Sequence, residues 1–275
     1  MKTLFFSLFA LFLVIDSAPK EVTWVAIGDS ITYLNDHQDE TGNRISKGYL
    51  TLIGEEFPNL KIVNKGYNGW TAVAIAEQFH KLDIPKADIY SIFLGTNDWW
   101  AGKPLGTIQD FQDATGTATV HGAFRAILDN IRSLNPEAKI VILTPMKRVD
   151  FVYINDPTNN AFGSYQAKNQ QDLASFADAL KNIGKEADLP VIDLYHHSQL
   201  DFEDLVHFKW LKNPASGDYQ KYAYPDFIGI PFDPKVDVYP YPKESIAMTY
   251  DGLHPSDAGY QLIFECLLPY FKEWM

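Results

Sequence analysis

The sequence predicts an α/β protein, a three-layer α/β/α sandwich around a sheet of about five parallel strands. Three observations predict it. Five apolar runs of strand length alternate with helical patterns along the chain. Those runs are nearly all apolar rather than alternating, the pattern of strands covered on both faces. The chain has 275 residues, 46% of them hydrophobic, enough to fill the core of one large domain.

The apolar runs are Val22 to Ile27, Leu60 to Val63, Ile89 to Leu94, Ile140 to Leu143 and Pro190 to Leu194. Helical patterns fall at 47–57, 70–82, 117–134 and 164–187. The third stops at Asn135-Pro136, because proline cannot continue a helix. A last helix is expected from Ser256, a good N-cap. On its apolar face Cys266 joins Leu262, Ile263, Leu267 and Tyr270. That lone cysteine is expected to pack rather than react, and it allows no intramolecular disulfide. Strand–helix alternation implies right-handed crossovers, which bring the C-terminal ends of all the strands to one edge, where ligands bind. Residues 195–245 break the rhythm as an irregular insertion rich in aromatics, proline and aspartate. So long a segment is either functional or a packed surface loop.

The net charge of −12 argues against nucleic acid and anionic membranes as partners, since both would repel the surface. Residues 1–18 read as a signal peptide: Lys2, an apolar stretch from Leu4 to Ile15, then Ala18 as the cleavage residue. Asp16 departs from the small residue expected two positions earlier. The apolar stretch is short for a bilayer, so no membrane span is expected once it is removed. A single domain at 19–275, secreted to the periplasm or outside the cell, is the resulting expectation.

Chemistry gathers at the strand ends. The first strand delivers Gly28-Asp29-Ser30, the second Asn64 to Thr71, the third Gly95-Thr96-Asn97-Asp98. Asp251 and His254 precede the last helix. A serine hydroxyl is a poor nucleophile until a base takes its proton, so a serine, a histidine and an aspartate on one sheet edge suggest an enzyme. Each fragment alone reads equally as a plain turn; their joint order is the signal. The nucleophile elbow Gly-x-Ser-x-Gly is absent, because Thr32 holds its last position, and so is the dinucleotide loop Gly-x-Gly-x-x-Gly.

This set resembles the SGNH, or GDSL, hydrolase family over nearly the whole chain after the signal segment. The four residues that name the family would be Ser30, a glycine of the second block, Asn97 and His254. Asn64 followed by Gly69 matches the second block best, with Gly66 the second choice, and Asp251 with His254 matches Asp-x-x-His. The resemblance implies a flavodoxin-like fold and ester hydrolysis. Ser30 would attack the carbonyl, His254 would shuttle the proton, and Asp251 would orient and stabilise the imidazole. The N–H groups of Ser30 and Gly69 and the amide of Asn97 would form the oxyanion hole.

Around these, Trp99 is expected either as a pocket wall or as core. Lys147 and Arg148 follow the fourth strand and could hold an anionic substrate group or form a surface salt bridge. The Asp36, His37, Asp39 and Glu40 group reads as a solvated acidic loop rather than a cation site, and His121, His196 and His197 as structural. No metal or cofactor is expected. The expected function is a secreted serine esterase that removes small acyl groups such as acetyl from carbohydrates, with a small-molecule or polysaccharide ester as partner. Aromatics suit sugar faces, and no large apolar lid segment is visible for a lipid chain. The alternatives are a lipase or lysophospholipase/acyltransferase of the same family, and a non-catalytic carbohydrate-binding module.

Overall fold

The computed structural model describes residues 21–275. The expected signal segment, 1–18, lies outside them. Strand β1 (Val22–Gly28) leads into the single turn α1 (Ser30–Tyr33), then α2 (Tyr49–Glu56), β2 (Leu60–Gly66) and α3 (Ala72–Gln78). Next come β3 (Ile89–Phe93), α4 (Thr96–Trp100), α5 (Ile108–Gln112), α6 (Val120–Leu134) and β4 (Lys139–Leu143). A two-residue pair, β5 (Phe151–Val152) and β6 (Asn160–Ala161), precedes α7 (Leu173–Ala187) and β7 (Val191–Ile192). The insertion holds α8 (Phe202–Leu205) and the hairpin β8 (Lys209–Lys212) and β9 (Tyr219–Tyr222); α9 (Asp257–Trp274) closes the chain.

The five strands of the main sheet are all parallel, in the order β2-β1-β3-β4-β7. Successive side chains of a strand point to opposite faces, and both faces are apolar here. Trp24 and Ala26 of β1 face one core, with Tyr49, Leu50 and Ile53 of α2 and Tyr260, Ile263 and Phe271 of α9. Val25 and Ile27 face the other, with α3, α6 and α7. This is the expected three-layer sandwich. Strand β1 lies between β2 and β3, so the chain reverses its direction of travel across the sheet at β1. The crevice between the C-terminal ends of β1 and β3 is therefore a topological switch point, where open α/β sheets bind ligands. In register, Gly28 sits beside Gly66 on one side and Phe93 on the other, which aligns the three strand exits.

Several boundaries differ from the sequence reading. Strand β2 runs on to Gly66, because Asn64, Lys65 and Gly66 keep register with Ala26 to Gly28 at the sheet edge, where polar side chains are tolerated. The helical pattern of 164–187 starts only at Leu173. Asn169 and Gln170 adopt positive φ, 49° and 62°, which a right-handed helix cannot accommodate, and Asp172 then caps the helix by accepting from Ser175 N at 2.8 Å. The irregular insertion proves to hold a short antiparallel hairpin, missed because Lys209 to Lys212 and Tyr219 to Tyr222 carry too few apolar residues. Ser256 does cap α9, accepting from Gly259 N. Cys266 is partly buried against the core.

Gly66 illustrates how tightly the first crossover is packed. A Cβ there would lie 2.2 Å from the backbone N of Tyr33, the last residue of α1. The obstacle is backbone and cannot swing away. Gly66→Ala is expected to cost roughly 1–3 kcal/mol of stability, measured by urea denaturation against the wild type.

Candidate active site

Ser30 opens α1 directly after β1, and His254 closes the loop before α9. The two are 224 positions apart in sequence, yet His254 Nε2 lies 2.9 Å from Ser30 Oγ. On the other side of the ring, His254 Nδ1 lies 2.7 Å from Asp251 Oδ2. Asp251 is fully buried, and its second oxygen accepts the backbone N–H groups of Leu253 at 3.1 Å and His254 at 2.8 Å. A buried carboxylate that meets three donors is held in place. Gly252 lets the loop bend this tightly: its φ is +89°, and a Cβ would meet Asp150 O at 2.1 Å. The imidazole is wedged edge-on to Phe151 and stacked on Tyr250, with ring centroids at 5.3 and 5.8 Å.

Gly69 and Asn97 line the same pocket as Ser30 and His254. Gly69 sits at φ +74° with open space where a side chain would be, whereas Gly66 is packed under α1 and does not line the pocket. Of the two candidates, Gly69 is the one on the pocket. The Asn97 amide donates to Trp70 O at 3.1 Å and, more loosely, to Asp29 Oδ2 at 3.4 Å. Asp29 Oδ1 caps α1 by accepting from Ile31 N at 3.0 Å. Burial pushes the Asp29 carboxyl up to about 6, against the pull of that hydrogen bond and of His254. Burial likewise pushes Asp98 up to about 6, although it accepts Ala72 N and Val73 N at the start of α3.

Of the expected substrate-binding residues Trp99, Lys147 and Arg148, Arg148 alone lines the pocket. Trp99 is not a pocket wall: it is fully buried and donates from Nε1 to Gln171 O at 3.0 Å. The next residue, half-buried Trp100, lines the pocket instead. Lys147 does not line the pocket: it reaches Asp201 at 3.3 Å and lies over the Tyr195 ring. Its neighbour Arg148 faces the pocket, 2% exposed. Successive residues of the extended segment after β4 point oppositely, which separates the pair. The insertion 195–245 contributes nothing to the pocket lining. The segment around β5 and β6 does, through Phe151, Tyr153 and Asn159 to Ala161. Sequence reasoning missed it, because a short polar loop with two-residue strands carries no periodic signal. Glu40 of the acidic loop also reaches the pocket, where its carboxylate accepts from Tyr33 OH at 2.8 Å. Among the described residues no cluster of three or more potential metal ligands is present.

A family model described as GDSL-like lipase/acylhydrolase matches residues 26–262. The chain belongs to the GDSL-like lipase/acylhydrolase family. Family membership points to ester-bond hydrolysis. The chain is similar to a possible lipase from Chitinophaga pinensis, with 58% identity over 92% of this chain and 98% of that one, at a TM-score of 0.90. Two solved esterases share the fold alone. An acetyl xylan esterase is 16% identical over 90% of this chain and 99% of that one, with a TM-score of 0.52. A mutant acetyl-xylooligosaccharide esterase from a Geobacillus is 18% identical over 91% and 94%, also at 0.52. Comparison with curated proteins finds no match.

In this GDSL protein the cap aspartate carries a pH signature. A carboxyl raised from 3.8 to about 6 binds its proton more tightly in the folded chain, so its contribution to stability is lost as pH rises through that window. Asp29→Asn removes the titration while keeping the cap oxygen. The unfolding free energy of the variant relative to wild type should therefore move in the variant's favour by roughly 2–3 kcal/mol between about pH 4 and about pH 8, followed by chemical denaturation at each pH.

Proposed function

We propose that the protein is a secreted serine esterase that removes small acyl groups, acetyl foremost, from carbohydrates. The observation that carries the chemistry is the continuous chain from Asp251 through His254 to Ser30, at 2.7 and 2.9 Å. In this reading Ser30 Oγ attacks the ester carbonyl and His254 Nε2 takes its proton. Asp251 accepts the Nδ1–H, which fixes the tautomer and stabilises the imidazolium. The proton then passes from His254 to the leaving alcohol, and a water repeats the sequence on the acyl-enzyme.

The developing oxyanion is taken by the N–H groups of Ser30 and Gly69 and by Asn97. The Ser30 N–H is at the first position of α1 and has no intrahelical acceptor. Asn97 reaches the oxyanion by giving up its long 3.4 Å contact to Asp29 while keeping the one to Trp70 O. Donors of this kind act most strongly when charge forms in a site shielded from water.

The pocket supports a small substrate. Its volume is about 360 Å³, at the lower end of the range for ligand sites. Trp100 offers an aromatic wall beside Asn68, Asn159 and Asn160, a lining suited to a sugar ring and its hydroxyls. The likeness of fold to two esterases of acetylated xylan is compatible with this reading but does not carry it. A lipase is the second reading, favoured by the description of the 58% identical structure as a possible lipase.

Ser30→Ala should reduce hydrolysis of 4-nitrophenyl acetate by roughly four orders of magnitude or more and abolish labelling by a fluorophosphonate. Asn97→Ala should lower kcat about 10²- to 10³-fold with a smaller effect on KM. Acetyl esters should be preferred to octanoyl esters, and acetylated polysaccharide to phospholipid, in side-by-side kcat/KM measurements. The reverse order would give the lipase reading precedence.

A further inference from the structure

Arg148 is a buried cation on the wall of the catalytic pocket, with most of its hydrogen-bonding capacity unused. It is 2% exposed and lines the same cavity as Ser30 and His254. A guanidinium presents five N–H donors and stays protonated at any ordinary pH. Here the side chain makes one hydrogen bond, from Nη2 to Ala161 O at 3.3 Å. Its Nε is buried without a partner, and no carboxylate among the described residues forms an ion pair with it.

The contrast with Lys209, the other buried Lys or Arg among the described residues, is informative. Lys209 is 3% exposed and is matched by Asp150 Oδ2 at 2.9 Å. That pairing commits Asp150, and Asp251 is committed to His254. Arg148 feels both carboxylates only at longer range, and burial lowers the guanidinium from its usual pKa to about 10. The guanidinium is supported chiefly by aromatic faces, its Cζ 5.8 Å from the Trp99 ring and 5.4 Å from that of Trp100. Lys168 adds a second positive charge 4.2 Å over Trp100. A buried unpaired charge destabilises the fold unless something completes it. In a chain of net charge −12, Arg148 and Lys168 set two positive charges against Trp100, while Glu40 is a carboxylate on the pocket lining.

We propose that Arg148 is an anion subsite, which takes a carboxylate carried by the ester substrate while Ser30 addresses its acyl group. The proposal rests on the esterase reading for the position of the scissile bond. Planar, forked donors match a carboxylate in a bidentate pair, which neither Lys168 nor an asparagine can reproduce. The substrate class is therefore an ester with a nearby carboxylate. Two sources share that chemistry: an O-acetylated acidic saccharide, with its ring on Trp100 and its uronate on Arg148, or a half-ester of a dicarboxylic acid, with the carboxylate on the acyl side.

The experiment separates the two sources and separates this inference from the esterase reading. On the acyl side, kcat/KM is compared for mono-4-nitrophenyl succinate and 4-nitrophenyl acetate. On the alcohol side, it is compared for an O-acetylated methyl glycoside of galacturonic acid with its carboxylate free and for the methyl ester of that glycoside. Wild type and Arg148→Met are measured in parallel. Calorimetry on wild type compares binding of the unacetylated methyl glycoside of galacturonic acid and of succinate with that of their methyl esters. One arm should show at least about a tenfold preference for the free carboxylate, the size expected of one charge-assisted pair. Arg148→Met should bring that ratio close to one. A wild-type ratio at or below one in both arms, with acid and methyl ester bound alike, overturns the proposal. A preference that persists in Arg148→Met also overturns it and leaves Arg148 as a prop for the Ala161 segment. If Arg148→Met does not fold, the wild-type ratios and the calorimetry decide alone. If no ester is hydrolysed, the esterase reading fails, and the binding comparison still decides the anion subsite.

Discussion

The order of the strands is the constraint from which the site follows. With β2 on one side of β1 and β3 on the other, the loops leaving β1 and β3 diverge over opposite faces and leave a crevice between them. Ser30 and Asn97 stand on the two sides of that crevice because each follows its strand by only a few residues. The third component arrives from the far end of the chain. Helix α9 packs on the same core as α2, and Tyr260 OH donates to Ile31 O at 2.8 Å, which ties α9 to the turn that carries Ser30. Arg44 Nη1 donates to Tyr241 O and Tyr250 O, and Asp257 accepts from Ser46, so the loop leading to Asp251 and His254 is anchored on both flanks. Apolar burial and a few long-range hydrogen bonds thus set the serine–histidine distance.

The polar groups around that distance are not arranged for stability. Asp29 and Asp98 are buried carboxyls whose protonated forms the fold favours, and Arg148 and Tyr250 OH hold buried donors without partners. Costs of this kind concentrate where a site needs preorganised charge out of water. The insertion helps to bear them from a distance. Lys209 of β8 pairs with Asp150, Tyr241 OH holds the same residue, as does Tyr165 OH from before α7, and Tyr239 OH donates to Val152 O at 2.8 Å. That network braces the strand from which Phe151 meets the catalytic imidazole. The aromatic-rich insertion therefore acts as a buttress behind the pocket wall.

What could be read from the sequence and what could not divides along one physical line. Continuous apolar runs identify strands buried on both faces, whatever their neighbours, so the sheet was legible. Residues at strand exits were legible too: Ser30, Gly69 and Asn97 come within a few positions of a strand end, and Asp251 and His254 sit three apart before a capped helix. The misassignments are of another kind. Trp99 and Trp100 are the same residue type and Lys147 and Arg148 are both cationic, and which of each pair faces the pocket depends on backbone angles beyond the strand. The β5–β6 wall carries no pattern, because two-residue strands bury too little to impose one.

The sequence by itself determined the sandwich, the strand edge that bears the chemistry and the residue types that could perform it, because local hydrophobic pattern and chain order are properties of the string. Only the tertiary structure decided that Ser30 and His254 touch, that Gly69 and not Gly66 lines the pocket, and that Arg148 rather than Lys147 enters it. Those outcomes depend on how separate segments pack, and close packing is a property of the folded chain alone.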